Sequence, residues 1–315
     1  MKIKMKNIQR RKFLTTTAAA AMAPSFLTFG SEKSEIAEPL LQERKKNILL
    51  GIIIDGDNPD LGLKKVRDLG FETCQIEISK YTPEKASEVK SAIKKYKIQP
   101  NALVCLGPGK MVWNFTEGPS TIGIVPRAIR KERMQRLHDG IDFCAMAGIP
   151  AVHSHFGFIP ENPADPLYAE LIACMKELGN HARKKGINIF CETGQETPTT
   201  LLRAIEDAGT GNIFVNYDTA NVVLYGKANP LDGLKMLSKY VRSLHAKDGH
   251  YPTNPKLLGE EVPIPQGIVN FPAIISYLKE INFKGEIIIE CEISGQNKDY
   301  IIKTRDYLEG LISSK

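Results

Sequence analysis

Four apolar runs in the second half of the chain end in side chains able to bind a metal. Residues 187–192 finish in Phe190-Cys191-Glu192 and continue Thr193-Gly194; residues 213–218 finish in Asn216-Tyr217-Asp218 and continue Thr219-Ala220-Asn221. Residues 241–246 lead through Leu244-His245-Ala246 into Lys247-Asp248, and residues 286–291 lead through Ile289-Glu290-Cys291 into Glu292. A charge at the end of an apolar run is costly to bury unless it is paired or holds an ion. One donor from each run gives three carboxylates and an imidazole: Glu192, Asp218, His245 and either Glu290 or Glu292. That oxygen-rich set suits a divalent cation, Mn2+ or Mg2+ before a thiolate-type zinc site, with Co2+ and Zn2+ also compatible. Four protein donors leave about two octahedral positions for substrate oxygens.

The elements that must position these groups repeat strand and helix eight times. Ile- and Val-rich runs occupy 48–54, 72–78, 102–105, 150–155, 187–192, 213–218, 241–246 and 286–291. Segments of helical spacing lie between them, at 61–69, 82–96, 127–147, 166–185, 198–208, 230–239, 271–280 and 297–312. Strands alternating with helices imply parallel pairing. Eight such units predict an α/β fold of a single domain, a closed (β/α)8 TIM barrel, which typically takes about 250 residues. An open doubly wound sheet is the alternative, but no GxGxxG follows the first run. In a barrel the strand ends share one mouth. Residues 107–126 carry Gly, Pro and the only Trp with weak periodicity, and they read as a lid over that mouth.

The pieces Glu192-Thr-Gly, Asp218-Thr-Ala-Asn, His245-Ala-Lys-Asp and Ile289-Glu290 resemble the xylose isomerase-like barrel superfamily of sugar isomerases and epimerases, from about residue 48 to 312. The resemblance implies Glu192, Asp218, His245 and Glu290 as the metal ligands, so it selects Glu290 over Glu292. It also implies that Glu192 and Glu290 move protons. The stretches 118–127, 155–161 and 292–295 are similar to an exported bacterial subgroup of that superfamily. The DNA-repair members use many more His residues than the six present here, which argues against a nucleic-acid substrate.

A metal that chelates a carbonyl and a neighbouring hydroxyl oxygen would stabilise charge as the intervening C–H loses its proton. With Glu192 and Glu290 as base and acid, the expected activity is isomerisation or epimerisation of a keto-sugar through an enediolate. A 3-keto-glycoside lyase, expelling an aglycone by β-elimination, is the alternative outcome. A non-catalytic carbohydrate-binding barrel is the alternative without turnover. Lys247 shares the side of His245 on its strand and suits neutralising an oxyanion. His155, Trp113 and Arg127 are the candidate substrate-binding residues: a hydrogen bond to a hydroxyl, a ring against the apolar face of a sugar, and a contact to a carboxylate or sugar oxygen. His153 has the parity of His155 and reads equally well as packing. The expected partner is a small sugar or glycoside, and homo-oligomerisation is left open.

The 315 residues carry 42% apolar and 25% charged residues, a globular balance. The formal charge of +6 is local: the first 30 residues hold six of the 42 Lys and Arg and no acid, so the other 36 basic residues match 36 acidic ones. The body has no global field to draw it onto phosphate backbones. Arg10-Arg11-Lys12 followed by a mild apolar stretch reads as a twin-arginine-type signal over 1–30, with a linker at 31–46 and the barrel at 47–315. The expected location is therefore periplasmic. No segment approaches the about 20 apolar residues of a membrane span. Six cysteines show no CxxC spacing and read as free thiols. Replacing Arg10 and Arg11 by Lys is expected to hold the protein in the cytoplasm, because the receptor reads the paired guanidinium groups and not charge alone. Cell fractionation checks this, and unchanged export would remove the twin-arginine reading.

Overall fold

The computed structural model describes residues 46–291 and 297–314. The expected signal segment, nearly all of the expected linker, and Glu292 lie outside them. The first half of the barrel runs β1 (Ile48–Asp55), α1 (Pro59–Asp68), β2 (Thr73–Glu77), α2 (Pro83–Tyr96), β3 (Gln99–Val104), α3 (Gly118–Thr121), α4 (Arg127–Ala147), β4 (Ala151–Ser154) and α5 (Pro166–Lys184). The second half runs β5 (Asn188–Glu192), α6 (Pro198–Ala208), β6 (Ile213–Asp218), α7 (Asn221–Leu224), α8 (Pro230–Leu237), β7 (Val241–Ala246), β8 (Asp248–Gly249), β9 (Glu261–Val262), α9 (Phe271–Glu280), β10 (Gly285–Ile289) and α10 (Lys298–Ser313). The strands β1-β10-β7-β6-β5-β4-β3-β2 close into a barrel, every neighbouring pair parallel. The expected (β/α)8 fold is the observed one.

Local sequence starts the helices with one repeated device. Asn58, Thr82, Asp165, Thr197 and Asn229 each accept a backbone N–H of the first turn through the side-chain oxygen, and a proline follows each of them. The cap satisfies an orphan donor, and the proline supplies a φ already suited to a helix. Helix α4 ends at Gly148, whose φ of 77° is the left-handed value a C-terminal glycine takes without cost. The strands of β1 and β10 are Ile-rich because helices cover the outer face and the barrel fills the inner one.

The barrel interior is more polar than a stack of branched apolar residues. Asn101 on β3 donates to Ser243 Oγ on β7 at 3.0 Å, and Gln75 on β2 donates to Asn216 on β6 at 3.2 Å. Neither hydrogen bond joins neighbouring strands, so both pairs meet across the interior. Above them the site is built.

Two loops frame the mouth. The lid of residues 107–126 is tied down by Arg133 of α4, a buried guanidinium with no carboxylate beside it. Arg133 donates to the carbonyls of Pro108 (3.1 Å), Gly123 (2.9 Å) and Lys110 (3.2 Å), gathering both ends of the lid. Within it, Asn114 Oδ1 accepts from the backbone N–H of Thr116, Glu117 and Gly118, which starts α3. The second loop, between β7 and α9, carries no periodicity, and the structure shows it pinned by Asp248. That carboxylate accepts from the backbone N–H of Gly249 (2.9 Å), Gly267 (2.9 Å) and Val269 (3.0 Å), and the β8–β9 hairpin closes over it.

The lid returns to α4 by crossing the chain just beyond β4. There Gly123 has φ of 70°, and a Cβ on it would lie 2.0 Å from the carbonyl carbon and oxygen of Phe156. Gly123→Ala is therefore expected to cost at least about 2 kcal/mol, a melting-temperature drop of about 4–8 °C. Thermal unfolding checks this; an unchanged midpoint would mean the crossing is loose.

Candidate metal centre and its cavity

His245, at the end of β7, stands at the middle of the cluster. Its Nδ1 lies 3.0 Å from Glu192 Oε1, 3.0 Å from Glu290 Oε2 and 3.8 Å from Asp218 Oδ2. One donor atom from each of these four residues lies within 4.8 Å of every other. Glu192, Asp218 and His245 are buried, and the Glu290 side chain is 19% exposed.

The residues after each ligand explain why the motif reads as it does. Asp218 Oδ1 accepts from the backbone N–H of Ala220 (2.8 Å) and Asn221 (2.7 Å), so it caps the short helix α7, while Oδ2 has no hydrogen-bond partner. Thr193 Oγ1 accepts from Asp218 N–H at 2.9 Å, and Thr219 Oγ1 donates to the Lys247 carbonyl at 2.7 Å. Each threonine ties the end of its own strand to the next ligand-bearing strand.

Charge is in conflict here. Burial pushes the Asp218 carboxyl well above its usual range; Lys247 pulls it down, while Glu290 and Glu192 add to the rise. Burial also opposes ionisation of Glu192, yet the imidazoles of His155, His245 and His153 hold it well below the usual range. Glu290 is held low against burial by Lys247 and His245. Burial disfavours a charged His245, but Glu192 and Glu290 raise it well above an ordinary imidazole. A buried carboxylate oxygen without a hydrogen bond among the described residues, facing two further carboxylates and an imidazole nitrogen, is a donor set that fits a divalent cation.

Residues 63–311 match the family described as xylose isomerase-like TIM barrel. The chain belongs to that family. A xylose isomerase domain protein from Planctomyces limnophilus has a crystal structure that superposes with a TM-score of 0.79 at 32% identity, covering 85% of this chain and 98% of that one. A D-tagatose 3-epimerase-like protein superposes with a TM-score of 0.65 at 19% identity, over 84% of this chain and 97% of the other, and shows likeness of fold alone. An inosose dehydratase of Clostridium botulinum is 24% identical over 154 residues, 43% of this chain and 51% of that protein. The chain spans about half the length of the curated relatives it matches.

In this member of the family, a cavity of about 300 Å³ opens above the cluster. Its floor is Glu192, His153, His155, His245, Lys247 and Glu290, and its upper wall includes Leu106, Trp113, Leu224, Tyr225 and Leu258. Lys247 Nζ lies 3.0 Å from Glu290 Oε2 and 3.7 Å from Asp218 Oδ2; the adjacent Asp248 is occupied by backbone N–H groups instead. His155 Nε2 is 2.9 Å from Glu192 Oε2 and its Nδ1 is 3.2 Å from Gln195 Oε1. The ring of Trp113 lies 4.8 Å from that of His155, so the lid reaches the floor through this pair. His153 is more than packing: its Nε2 comes within 2.7 Å of Glu192 Oε2.

Arg127 corrects the sequence reading. It starts α4 on the outer surface, 62% exposed, and its guanidinium grips Glu170 of α5 with Nε at 2.9 Å. The helix phase turns it away from the mouth, and it does not line the cavity. Sequence reasoning missed Gln75, which meets His245 Nε2 at 2.8 Å, and Asn221, which donates to Glu192 Oε1 at 3.2 Å. It also missed Glu77 on the cavity wall. Gln75 and Glu77 left a signal: two polar residues at strand parity inside an apolar run. Leu258 left none, since its loop has no period.

Purified protein is expected to bind about one divalent cation per chain, the arrangement such a four-donor site supports. Glu192→Ala, His245→Ala, Glu290→Ala and Asp218→Asn, which keeps the helix cap, should each weaken binding by about 10²-fold or more. Arg127→Ala should leave it unchanged. Calorimetric titration with Mn2+ checks this, and wild-type affinity in all four ligand variants would refute the assignment.

Proposed function

We propose that the protein is a divalent-metal-dependent isomerase or epimerase of a keto-sugar, with Glu192 and Glu290 moving the proton. The observation that carries this reading is the pair of carboxylates from β5 and from the end of β10, both 3.0 Å from one imidazole nitrogen at the cavity floor. A divalent cation held by Glu192, Asp218, His245 and Glu290 would supply Lewis-acid polarisation of a carbonyl oxygen. The chain's own residues supply the rest. Glu192 and Glu290 reach a bound sugar from two sides, one to take the proton beside the carbonyl and the other to return it. Lys247, held by Glu290, offers a positive charge to the oxygen on which negative charge grows. His155 would hydrogen-bond a hydroxyl by exchanging its contact to Gln195 or Glu192, and Trp113 would receive the apolar face of a pyranose and exclude water. The D-tagatose 3-epimerase-like neighbour is consistent with proton transfer at a sugar carbon.

A second reading, β-elimination from a 3-keto-glycoside, shares the first proton abstraction and differs in what the carbanion then expels. The apolar upper wall of Leu106, Leu224 and Leu258 favours it, because a free ketose has little apolar surface to place there. The relative named as a dehydratase performs an elimination by its name. Export of this activity by the twin-arginine route is part of the proposal and rests on Arg10-Arg11.

In D2O with Mn2+, a true substrate should gain deuterium at the carbon beside its carbonyl, and NMR of the product separates an epimer from an eliminated aglycone. Glu192→Gln and Glu290→Gln keep shape but cannot accept the proton, so at least one should lose turnover by about 10²–10⁴-fold. Both retaining wild-type rates while metal-loaded would move the base elsewhere. Product without C–H exchange would defeat the proton-transfer mechanism altogether.

A further inference from the structure

We infer that Gln75 and Asn216 form a buried amide relay that fixes the tautomer of His245 and so presents its Nδ1 to the cation. The inference rests on the metal reading and names positioning residues for it. Gln75 lies on β2, a strand that supplies none of the four donors, and reaches across the barrel interior to His245 on β7. Its Oε1 is 2.8 Å from His245 Nε2, and its Nε2 donates to Asn216 Oδ1 on β6 at 3.2 Å. All three side chains are fully buried.

A neutral imidazole carries its proton on one nitrogen and its lone pair on the other. The carboxylates of Glu192 and Glu290, each 3.0 Å from Nδ1, invite a proton onto that nitrogen, where it would compete with a cation. The carbonyl oxygen of Gln75 can only accept. It therefore holds the proton on Nε2 and leaves the Nδ1 lone pair directed at the ligand cluster. The Gln75 amide cannot simply turn over. A flip of Gln75 alone would bring its NH2 against the Nε2–H and its oxygen against Asn216 Oδ1, so only a joint turn of both amides reaches the other tautomer. Asn216 stands two residues before Asp218 on the same strand, so one strand carries both a ligand and the anchor of another ligand.

Asn216 directs its oxygen to Gln75 and leaves its own Nδ2 buried with no hydrogen-bond partner among the described residues. Outer partners of metal-ligating histidines fix the tautomer in general, and their loss typically weakens metal affinity about 10–100-fold.

The test uses the full chain and Mn2+ or Mg2+ alone. Gln75→Met keeps the volume and removes the acceptor; calorimetric titration should show Mn2+ affinity falling by about 10–100-fold while the far-UV circular dichroism stays that of the wild type. Gln75→Glu restores an acceptor for Nε2–H and should recover affinity to within a few-fold of wild type, a rescue that a packing role does not predict. With 15N-labelled histidine and diamagnetic Mg2+, the wild-type chain should show His245 protonated at Nε2 and metallated at Nδ1. This spectrum decides the matter even if Gln75→Met does not fold. A proton on Nδ1 in the loaded protein, or equal affinity in wild type and folded Gln75→Met, overturns the relay and leaves the metal site standing. A wild-type chain that binds neither cation overturns the metal reading and the relay with it.

Discussion

Three carboxylates meet around one imidazole nitrogen at the largely buried floor of the cavity. Coulomb repulsion among Glu192, Asp218 and Glu290 is strong there, because the low local dielectric screens little. The neighbours answer it only in part. His153 and His155 press on one oxygen of Glu192, and Lys247 on Glu290, while Asp218 keeps an oxygen with no hydrogen bond among the described residues. Removing water from so many charges is not a route to stability. The cluster is legible as a site because, among the described residues, the fold gathers such charges at the mouth of the barrel.

Everything nearby limits the freedom of those charges to separate. Closure of the barrel sets β5, β6 and β7 side by side, with β10 next to β7, so four successive strand ends face one point. The threonines after Glu192 and Asp218 stitch each of those ends to the following strand, which prevents local fraying from relieving the repulsion. On the rim, Arg133 binds three lid carbonyls and Asp248 binds three backbone N–H groups of the opposite loop. These two buried charges use the backbone as their counter-group. They shape the cavity without adding to the charge inside it.

The strand–helix alternation was readable because parallel strands covered by helices are apolar on both faces and stand out from the helical period. The clustered positions were readable for a related reason: one strand-end carboxylate reads as a helix cap or loop bond, but four metal-competent side chains ending four consecutive apolar runs do not, and the family resemblance chose Glu290 over Glu292. Contacts across the barrel were not. That Gln75 meets His245 follows from strand stagger and closure, which no local pattern records. Arg127 was misplaced because its position at the start of a helix after the lid says which end of the barrel it occupies, but not which way the helix turns it. The β7–α9 loop stayed unread because its order comes from one carboxylate, Asp248, and not from periodicity. Glu192 and Glu290 looked alike as residue types, and only the structure separates them.

That separation bears on the proposed proton transfer. Glu192 is nearly saturated: Oε1 takes Asn221 Nδ2 and faces His245, and Oε2 faces His153 and His155. To accept a proton it must first give up one of those contacts. Glu290 is engaged through Oε2 by His245 and Lys247, and is the more exposed of the two. On the proposed reading its second oxygen is the carboxylate atom of the pair that a sugar would approach first. The lysine that holds Glu290 also makes the carboxylate a weaker base, so abstraction there gains from any substrate oxygen that draws Lys247 away as negative charge develops on it. On the proposed reading the base and the oxyanion stabiliser would be one ion pair, and a substrate that separates them would strengthen both roles in the same movement.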